Sequence, residues 1–491
     1  MCQPVASVCM LKYMVELVIY IQVFDEENVR MSLKHSVRLV WDGKDEDPAR
    51  LSCEQKLLEH IYPHPVRHSS NLFNYRFDWE NQRDKVVSNR LIQGDNLFLL
   101  GSLIKEGYEE MFDLIYIDPP FLSDTSYISR AVITGNGDKE VINRLAFRDT
   151  WEKGLDSYLD ALYGRLQLMK RLLSEQGSIF VHLDWHVSHY VKLLLDEIFL
   201  PQNFINEIVW CYGGGSGTKR HFHRKHDLIL WYSKGDKYIF NPQYRPYTIG
   251  TLERGLTRVK GDKYQLHQKG ALMQDWWTDI NKILSPTARE NLKYPTQKPA
   301  ALVKRIIAAA SNPGSLVADF YCGSGTTARV CEEMERNWVA ADTSSIAVQT
   351  TISRLIKYKS RPFKVERIEA KGNVKEPGNI IKLKKPQIYK AKDVFNICLG
   401  IENYTPAPEK RPLLREEYAV NSIIDFWEID FDYNGEVFCS DIQVVRDKNS
   451  FDKSLELDFR FQLPIKKEYY MAIKVYDIFG DNALITLTLK P

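Results

Sequence analysis

Asp319-Phe320-Tyr321-Cys322-Gly323-Ser324-Gly325-Thr326-Thr327 is the stretch that decides the fold. The apolar run Leu316 to Asp319 reads as a buried strand, two glycines follow, and a helix is expected over Thr326 to Glu335. Glycine lets the backbone approach a ligand closely and adopt angles closed to other residues. The first turn of the helix offers free N–H groups to an anionic group. Such a turn also serves elsewhere as a plain connector, so alone it defines no ligand. Downstream, Trp338-Val339-Ala340-Ala341-Asp342 reads as a strand ending in a carboxylate, the position where nucleoside-binding α/β folds hold ribose hydroxyls. No lysine follows the glycines, which argues against a phosphate-cradling loop and suits a nucleoside ligand without phosphates.

Outward from this turn the chain alternates. Strands are expected at Arg90 to Gln93, Phe112 to Ile117, Ser178 to Leu183 and Phe204 to Cys211. Helices are expected at Leu97 to Ile104, Leu155 to Leu173, Val187 to Ile198 and Ala300 to Ala310. Strands alternating with helices imply a doubly wound, Rossmann-like α/β sheet, placed here over residues 88–365. Residues 213–293 interrupt the rhythm. They open on Gly213-Gly214-Gly215-Ser216-Gly217 and carry Lys219, Arg220, His221, His223, Arg224, Lys225 and His226 around Phe222. Arg245, Tyr247, Arg254, Arg258, Lys260 and Lys263 follow. This basic and aromatic insert is the candidate nucleic-acid contact, with Lys219, Arg220, Arg224 and Lys225 as its first phosphate ligands. Asp124 to Asp149 reads as a mobile loop.

Flanking regions are assigned by composition. Residues 1–87 read as an N-terminal extension and 366–415 as a linker, rich in Lys and Pro over Lys371 to Lys392. Residues 416–491 read as an all-β, immunoglobulin-like sandwich. Its strands are expected at Phe426 to Tyr433, Val437 to Val445, Leu455 to Gln462, Tyr469 to Tyr476 and Ala483 to Leu489.

The 491 residues carry 26% charged side chains and a net charge of only +2, so no global basic field marks a nucleic-acid partner and any such signal is local. The 8 cysteines form no C-x-x-C pair, which argues against a zinc knuckle and a disulfide framework. No metal is expected, and His182, Asp184, His186 and His189 read as capping and crevice-lining groups. Lys12 and Glu16 interrupt the apolar run Val5 to Phe24, which lacks the marks of a signal peptide or a transmembrane span. A cytoplasmic location with no membrane partner is the expectation.

Asp118-Pro119-Pro120-Phe121 carries the chemistry. A carboxylate at the C-terminal end of a buried strand faces the ligand crevice of an α/β sheet. The two prolines stiffen the turn and leave carbonyls without local donors. An aromatic ring follows. The Asp118 carboxylate and the Pro119 carbonyl can accept both hydrogens of an amine on a planar base, while Phe121 stacks on its ring.

The Asp118 tetrad and the Tyr321-Cys322-Gly323-Ser324-Gly325 turn together resemble the amino-methyltransferases of DNA. Tyr321 stands where that family usually has Phe. The tetrad precedes the glycine turn with the basic insert between them, an order that resembles the β-class, permuted enzymes, including the modification subunits of type III restriction systems. Trp276-Trp277-Thr278-Asp279-Ile280 and Tyr294-Pro295-Thr296-Gln297-Lys298-Pro299 are similar to segments those enzymes carry before the turn. The likeness covers roughly Asn89 to Leu355.

The resemblance implies S-adenosylmethionine as cofactor. Asp319, Phe320, Tyr321, Gly323, Ser324, Gly325 and Thr326 would line it, Asp342 would bind its ribose, and Thr296 and Lys298 would lie near its methionine carboxylate. Asp95 would approach its adenine amine, or simply cap the following helix. It also implies catalysis by Asp118, Pro119, Pro120 and Phe121 on adenine N6 in double-stranded DNA, with the base flipped out of the duplex. Cytosine N4, a catalytically silent DNA-binding or assembly subunit, and an RNA or protein amide substrate stay open. A restriction subunit and a second copy of the chain are the protein partners in view. No Walker-type motif is present, so ATP-driven restriction would need a separate subunit.

Overall fold

The computed structural model describes residues 38–42, 44, 53–66, 89–135, 138–215, 217, 219–254, 266–285, 288–368, 378–414, 418–446 and 455–490. At its centre lies a sheet of 11 strands. Leu173–Leu183, Phe112–Ile117, Leu316–Asp319, Asn337–Asp342, Asn89–Gln93 and Phe363–Ile368 lie side by side in that order and run parallel. Phe112–Ile117 and Leu316–Asp319 are almost continuously apolar and buried, as strands covered on both faces must be. Beyond Leu173–Leu183 the sheet turns antiparallel through His226–Ser233 and Phe204–Cys211.

Helices cover both faces. Asn96–Lys105, Leu155–Leu172 and Ser188–Phe199 bury Leu99, Leu162 and Leu194 against one side. Ala300–Ala310, Thr326–Glu333 and Ser345–Tyr358 bury Leu302, Val330 and Ile352 against the other. After Phe112–Ile117 the chain crosses to Leu173–Leu183, whereas after Leu316–Asp319 it crosses the opposite way, to Asn337–Asp342. The two neighbouring strands therefore send their connections apart, and a crevice opens at their C-terminal ends.

Several expectations need correction. The stretch Asp124 to Asp149 is no loose loop: Thr125–Gly135 and Asp138–Asp149 pair along their length as an antiparallel hairpin. His226–Ser233, inside the stretch expected to be an insert, is a strand of the central sheet. That leaves residues 212–225 and 234–293 as the inserted parts, the second of which returns to the sheet edge where Trp276–Trp277 pairs parallel with Phe204–Cys211.

Within the expected N-terminal extension, Gln55–Ile61 extends the central sheet antiparallel to Phe363–Ile368. The C-terminal strand Phe438–Ser440 pairs with it in turn. The apolar run Val5 to Phe24, like Arg258, Lys260 and Lys263, lies outside the described residues.

The expected linker is strand-rich, with Ile380–Leu383, Gln387–Ala391 and Val394–Thr405. With Asp458–Pro464 these form a 4-stranded sheet. Ile442–Val445, Ile424–Asp430, Tyr469–Asp477 and Asn482–Leu489 belong to a 5-stranded one. Ile397, Phe461, Trp427 and Ile473 from both sheets share one apolar core.

A buried charge cluster ties this all-β region to the central sheet. Glu59 accepts from Lys474 Nζ at 2.6 Å and from the Tyr476 hydroxyl at 2.7 Å. Burial alone would raise the Glu59 carboxyl, but the Lys474 ammonium and these hydrogen bonds hold it below the usual range. Burial and the adjacent Glu59 push Glu428 well above it. No helix among the described residues is long and apolar enough to cross a membrane.

Candidate active site

The crevice holds a cavity of about 400 Å³, within the size of small-molecule sites. The tetrad forms one wall and the glycine turn another. Asp118, Pro119, Pro120, Phe121, Asp95, Thr296, Lys298, Asp319, Phe320, Tyr321, Gly323, Ser324, Thr326 and Asp342 all line it. One cofactor candidate, Gly325, does not. It precedes the helix Thr326–Glu333 at φ 70°, and a Cβ there would stand 2.6 Å from the Thr351 side chain. Its role is to let the turn lie against the Ser345–Tyr358 helix.

Gly323 faces the cavity at φ 49°, and a Cβ would meet the Tyr294 ring at 3.3 Å. Its N–H donates to Asp342 Oδ2 at 2.9 Å, while Ser344 N–H donates to Asp342 Oδ1 at 2.9 Å. Each oxygen keeps acceptor capacity for a hydroxyl. Burial raises this carboxyl against those N–H donors. Asp319 accepts from Tyr321 N–H at 3.1 Å and from the Thr327 hydroxyl. Burial, together with the charges of Asp118 and Asp342, pushes Asp319 up to about 7.

Asp95 is a helix cap that also borders the cavity. Its Oδ1 caps the helix Asn96–Lys105 by accepting from Leu97 N–H at 2.9 Å, and it lines the cavity. Arg165 Nη2 donates to the same oxygen at 2.6 Å, and Arg165 Nε holds Asn96 Oδ1. Asn96 in turn donates to the Phe320 carbonyl at 2.7 Å. Thr296 has φ 59°, an uncommon angle for a β-branched residue and a mark of strain beside a site.

At the tetrad, Lys298 Nζ donates to Asp118 Oδ1 at 2.7 Å and Oδ2 at 2.5 Å. The same ammonium stands 5.2 Å from the centre of the Phe121 ring. Phe121 is stacked on His182, with ring centres 6.2 Å apart and planes at 21°. His182 is fixed from both sides, by the Tyr116 hydroxyl at 3.1 Å and by Asp227 Oδ2 at 3.1 Å. Asp227 also accepts from the Tyr212 hydroxyl at 2.8 Å. Burial would raise Asp227, but its bonds to His182 and Tyr212 and the charges of His182 and Lys298 hold it low. Asp184 accepts from both the N–H and Nδ1 of His186, at 2.8 and 2.7 Å.

Sequence reasoning missed four groups here. Arg165 and Arg354 orient the cofactor wall, Arg354 through the Ser324 carbonyl at 3.0 Å and the Thr326 hydroxyl at 2.8 Å. Tyr127 and Phe147, stacked 4.6 Å apart on the hairpin, line the cavity. No local motif announces any of them.

Lys219, Arg220, Arg224 and Lys225 lie on the connection from Phe204–Cys211 to His226–Ser233. Leu228 pairs with Leu183, the last residue of its strand, so this connection emerges at the same edge of the sheet as the tetrad. Arg224 covers the half-exposed Trp185 ring at 3.7 Å, Lys225 donates to the Gly214 carbonyl, and Phe222 is 99% exposed. None of the four basic residues lines the cavity.

A doubly wound sheet with a carboxylate-Pro-Pro-aromatic turn facing a Gly-x-Gly turn across one cavity defines a class: amino-methyltransferases that use a nucleoside cofactor. Residues 112–353 match the family model described as DNA methylase, N6/N4 type, and that stretch is a methylase domain of this kind. Among similar proteins, the type II methyltransferase M.EcaI of Enterobacter cloacae is 28% identical over 56% of this chain and 71% of its own length. The DNA adenine methyltransferase YhdJ of Escherichia coli is 28% identical over 54% of this chain and 82% of its own length. The Mod subunit of the type III enzyme EcoP15I of Escherichia coli is 25% identical over 42% of this chain, which spans 32% of that subunit.

Proposed function

We propose that the chain transfers a methyl group from S-adenosylmethionine to the N6 amine of adenine in double-stranded DNA at one short sequence. The observation that carries the reading is that Asp118 and the glycine turn line a single cavity at the ends of adjacent strands. The family match and the adenine-specific relative support it. The donor set fits the cofactor. Asp342 has free acceptor capacity for ribose hydroxyls, Gly323 leaves room that a Cβ would fill, and the carboxylates Asp118, Asp319 and Asp342 suit a cationic sulfonium. Lys298 would take the methionine carboxylate and Asp95 the adenine amine.

S-adenosylmethionine supplies an electrophilic methyl on sulfur. The rest is positioning and electrostatics by this chain. An aromatic amine is a poor nucleophile because its lone pair is delocalised into the ring. Asp118 and the Pro119 carbonyl would accept its two hydrogens and draw the nitrogen toward tetrahedral geometry, which frees the lone pair. Phe121, backed by His182, would stack on the flipped base. Lys219, Arg220, Arg224 and Lys225 would meet phosphates, with residues 212–225 and 234–293 as the target-recognition parts. The likeness to a type III Mod subunit extends the proposal to a separate restriction partner. An immunoglobulin-like sandwich remains the proposed class of the C-terminal sheets.

The test is transfer of isotope-labelled methyl to duplex DNA, followed by digestion and mass spectrometry of the nucleosides. N6-methyl-2′-deoxyadenosine is the expected product. N4-methylcytosine, or no labelled nucleoside with cofactor-binding protein, overturns the reading.

A further inference from the structure

The tetrad turn is held by a residue outside every motif. Asp149 is only 1% exposed, and its carboxylate accepts from the N–H groups of Phe121 at 3.0 Å, Leu122 at 3.0 Å and Ser123 at 2.8 Å. The Ser123 hydroxyl donates to it at 2.7 Å and Trp151 Nε1 at 2.9 Å. A carboxylate that collects several N–H donors makes strong, charge-assisted bonds and fixes their geometry. Leu122 and Asp124 sit at φ 57° and 50°, so the turn after Phe121 takes a backbone path that would relax if these bonds were lost.

Asp149 is also the last residue of the hairpin Thr125–Gly135/Asp138–Asp149. The hairpin's other end is anchored elsewhere. Ile133 and Ile142 belong to the same buried core as Ile423, Trp427 and Phe479 of the C-terminal sheets. Arg144 spans the junction, with Nη1 on the Ile478 carbonyl at 2.6 Å and Nη2 on the Ser129 hydroxyl at 2.8 Å. Burial lowers the Arg144 pKa, and the charges of Asp425 and Asp477 act against that shift. One two-stranded strap thus connects the all-β region, which lies beyond the residues matched by the family, to the turn that carries Phe121.

We infer that Asp149 is a positioning residue for the Asp118–Phe121 turn and that the C-terminal β region acts on methyl transfer through this hairpin. The inference rests on the proposed methyltransferase reading for its kinetic consequences, while the clamp itself is a property of the fold. Asp149→Asn keeps the size but loses acceptor capacity at one oxygen. Arg144→Met removes the mid-hairpin bonds to the Ile478 carbonyl and the Ser129 hydroxyl without touching the cavity.

The experiment compares the full chain with Asp149→Asn, Arg144→Met and the double variant. Hydrogen exchange is read at the amides of residues 121–123, and kcat, KM and S-adenosylmethionine affinity are read beside it. Both single variants are expected to speed exchange at 121–123, by roughly 10-fold or more in Asp149→Asn. Asp149→Asn is expected to lower kcat about 10- to 100-fold, the scale of a misplaced catalytic group, with cofactor affinity kept. Arg144→Met is expected to lower kcat less and to add nothing in the double variant, as residues acting through one path do. Unchanged exchange at 121–123 in either variant overturns the inference. So do kcat losses that multiply, or cofactor binding that falls in step with kcat. A wild-type chain with no turnover on any DNA overturns the functional reading alone, and the exchange measurement still decides the clamp.

Discussion

The Lys298 ammonium bridges both oxygens of Asp118, at 2.5 and 2.7 Å, and so joins the segment before the glycine turn to the tetrad. A carboxylate that holds an ammonium with both oxygens has less to offer an amine. On the proposed mechanism Lys298 turns toward another anion before Asp118 accepts the amine hydrogens. The methionine carboxylate is the anion proposed.

Lys298→Met tests this switch. A charge-assisted hydrogen bond contributes about 1.5–3 kcal/mol, so S-adenosylmethionine affinity is expected to fall roughly 10- to 100-fold. Titration calorimetry checks it. Affinity equal to wild type would place the methionine carboxylate elsewhere.

Gly325→Ala tests the turn's backbone. The added Cβ would stand 2.6 Å from the Thr351 side chain at a positive φ, so the turn or its neighbour must shift. Strain of this kind costs about 1–3 kcal/mol. Melting in a thermal scan is expected several degrees lower, at roughly 2–4 °C per kcal/mol for a domain of this size. Cofactor binding should weaken with it. Melting like wild type would mean that Thr351 yields freely.

The pH dependence of stability has a defined sign at Asp319. Its folded pKa, about 7, lies above the ordinary carboxylate value of about 3.9. The folded state therefore binds the proton more tightly than the unfolded chain. This contribution is fully present below the ordinary range and is lost as pH rises through about 7. Asp319→Asn keeps a polar partner for Thr327 and carries no proton to lose. Its melting temperature is expected to fall less than that of wild type between pH 5 and 8. A parallel decline in both proteins would contradict the assignment.

The two motifs were legible because their residues are consecutive and their physics is local. A strand ending in Asp118-Pro119-Pro120-Phe121 and another ending before Gly323-Ser324-Gly325 must both point to the C-terminal edge of a parallel sheet. The parallel core followed from uninterrupted apolar runs such as Phe112 to Ile117. Asp149 and Arg165 were not legible, since each acts on a group 26 to 70 positions away and neither sits in a motif. The hairpin was missed because the glycines and the charged run in Gly135-Asn136-Gly137-Asp138-Lys139-Glu140 read as loop composition. Gln55–Ile61 was missed because its place in the sheet depends on Phe363–Ile368, some 300 residues later.

The basic connection gives a salt signature. If Lys219 and Lys225 each meet one phosphate, replacing either by Ala is expected to reduce the slope of log Kd against log salt by about 0.9. Phe222→Ala should leave that slope unchanged. Fluorescence anisotropy over a salt series checks both, and slopes that do not move would place the DNA on another face.

The most direct test of the central claim is single-molecule sequencing of DNA from cells expressing the wild-type chain or Asp118→Ala. The account predicts N6-methyladenine at one short sequence with the wild-type chain and none with Asp118→Ala. The same modification in both samples, or none in either despite soluble, cofactor-binding protein, would contradict it.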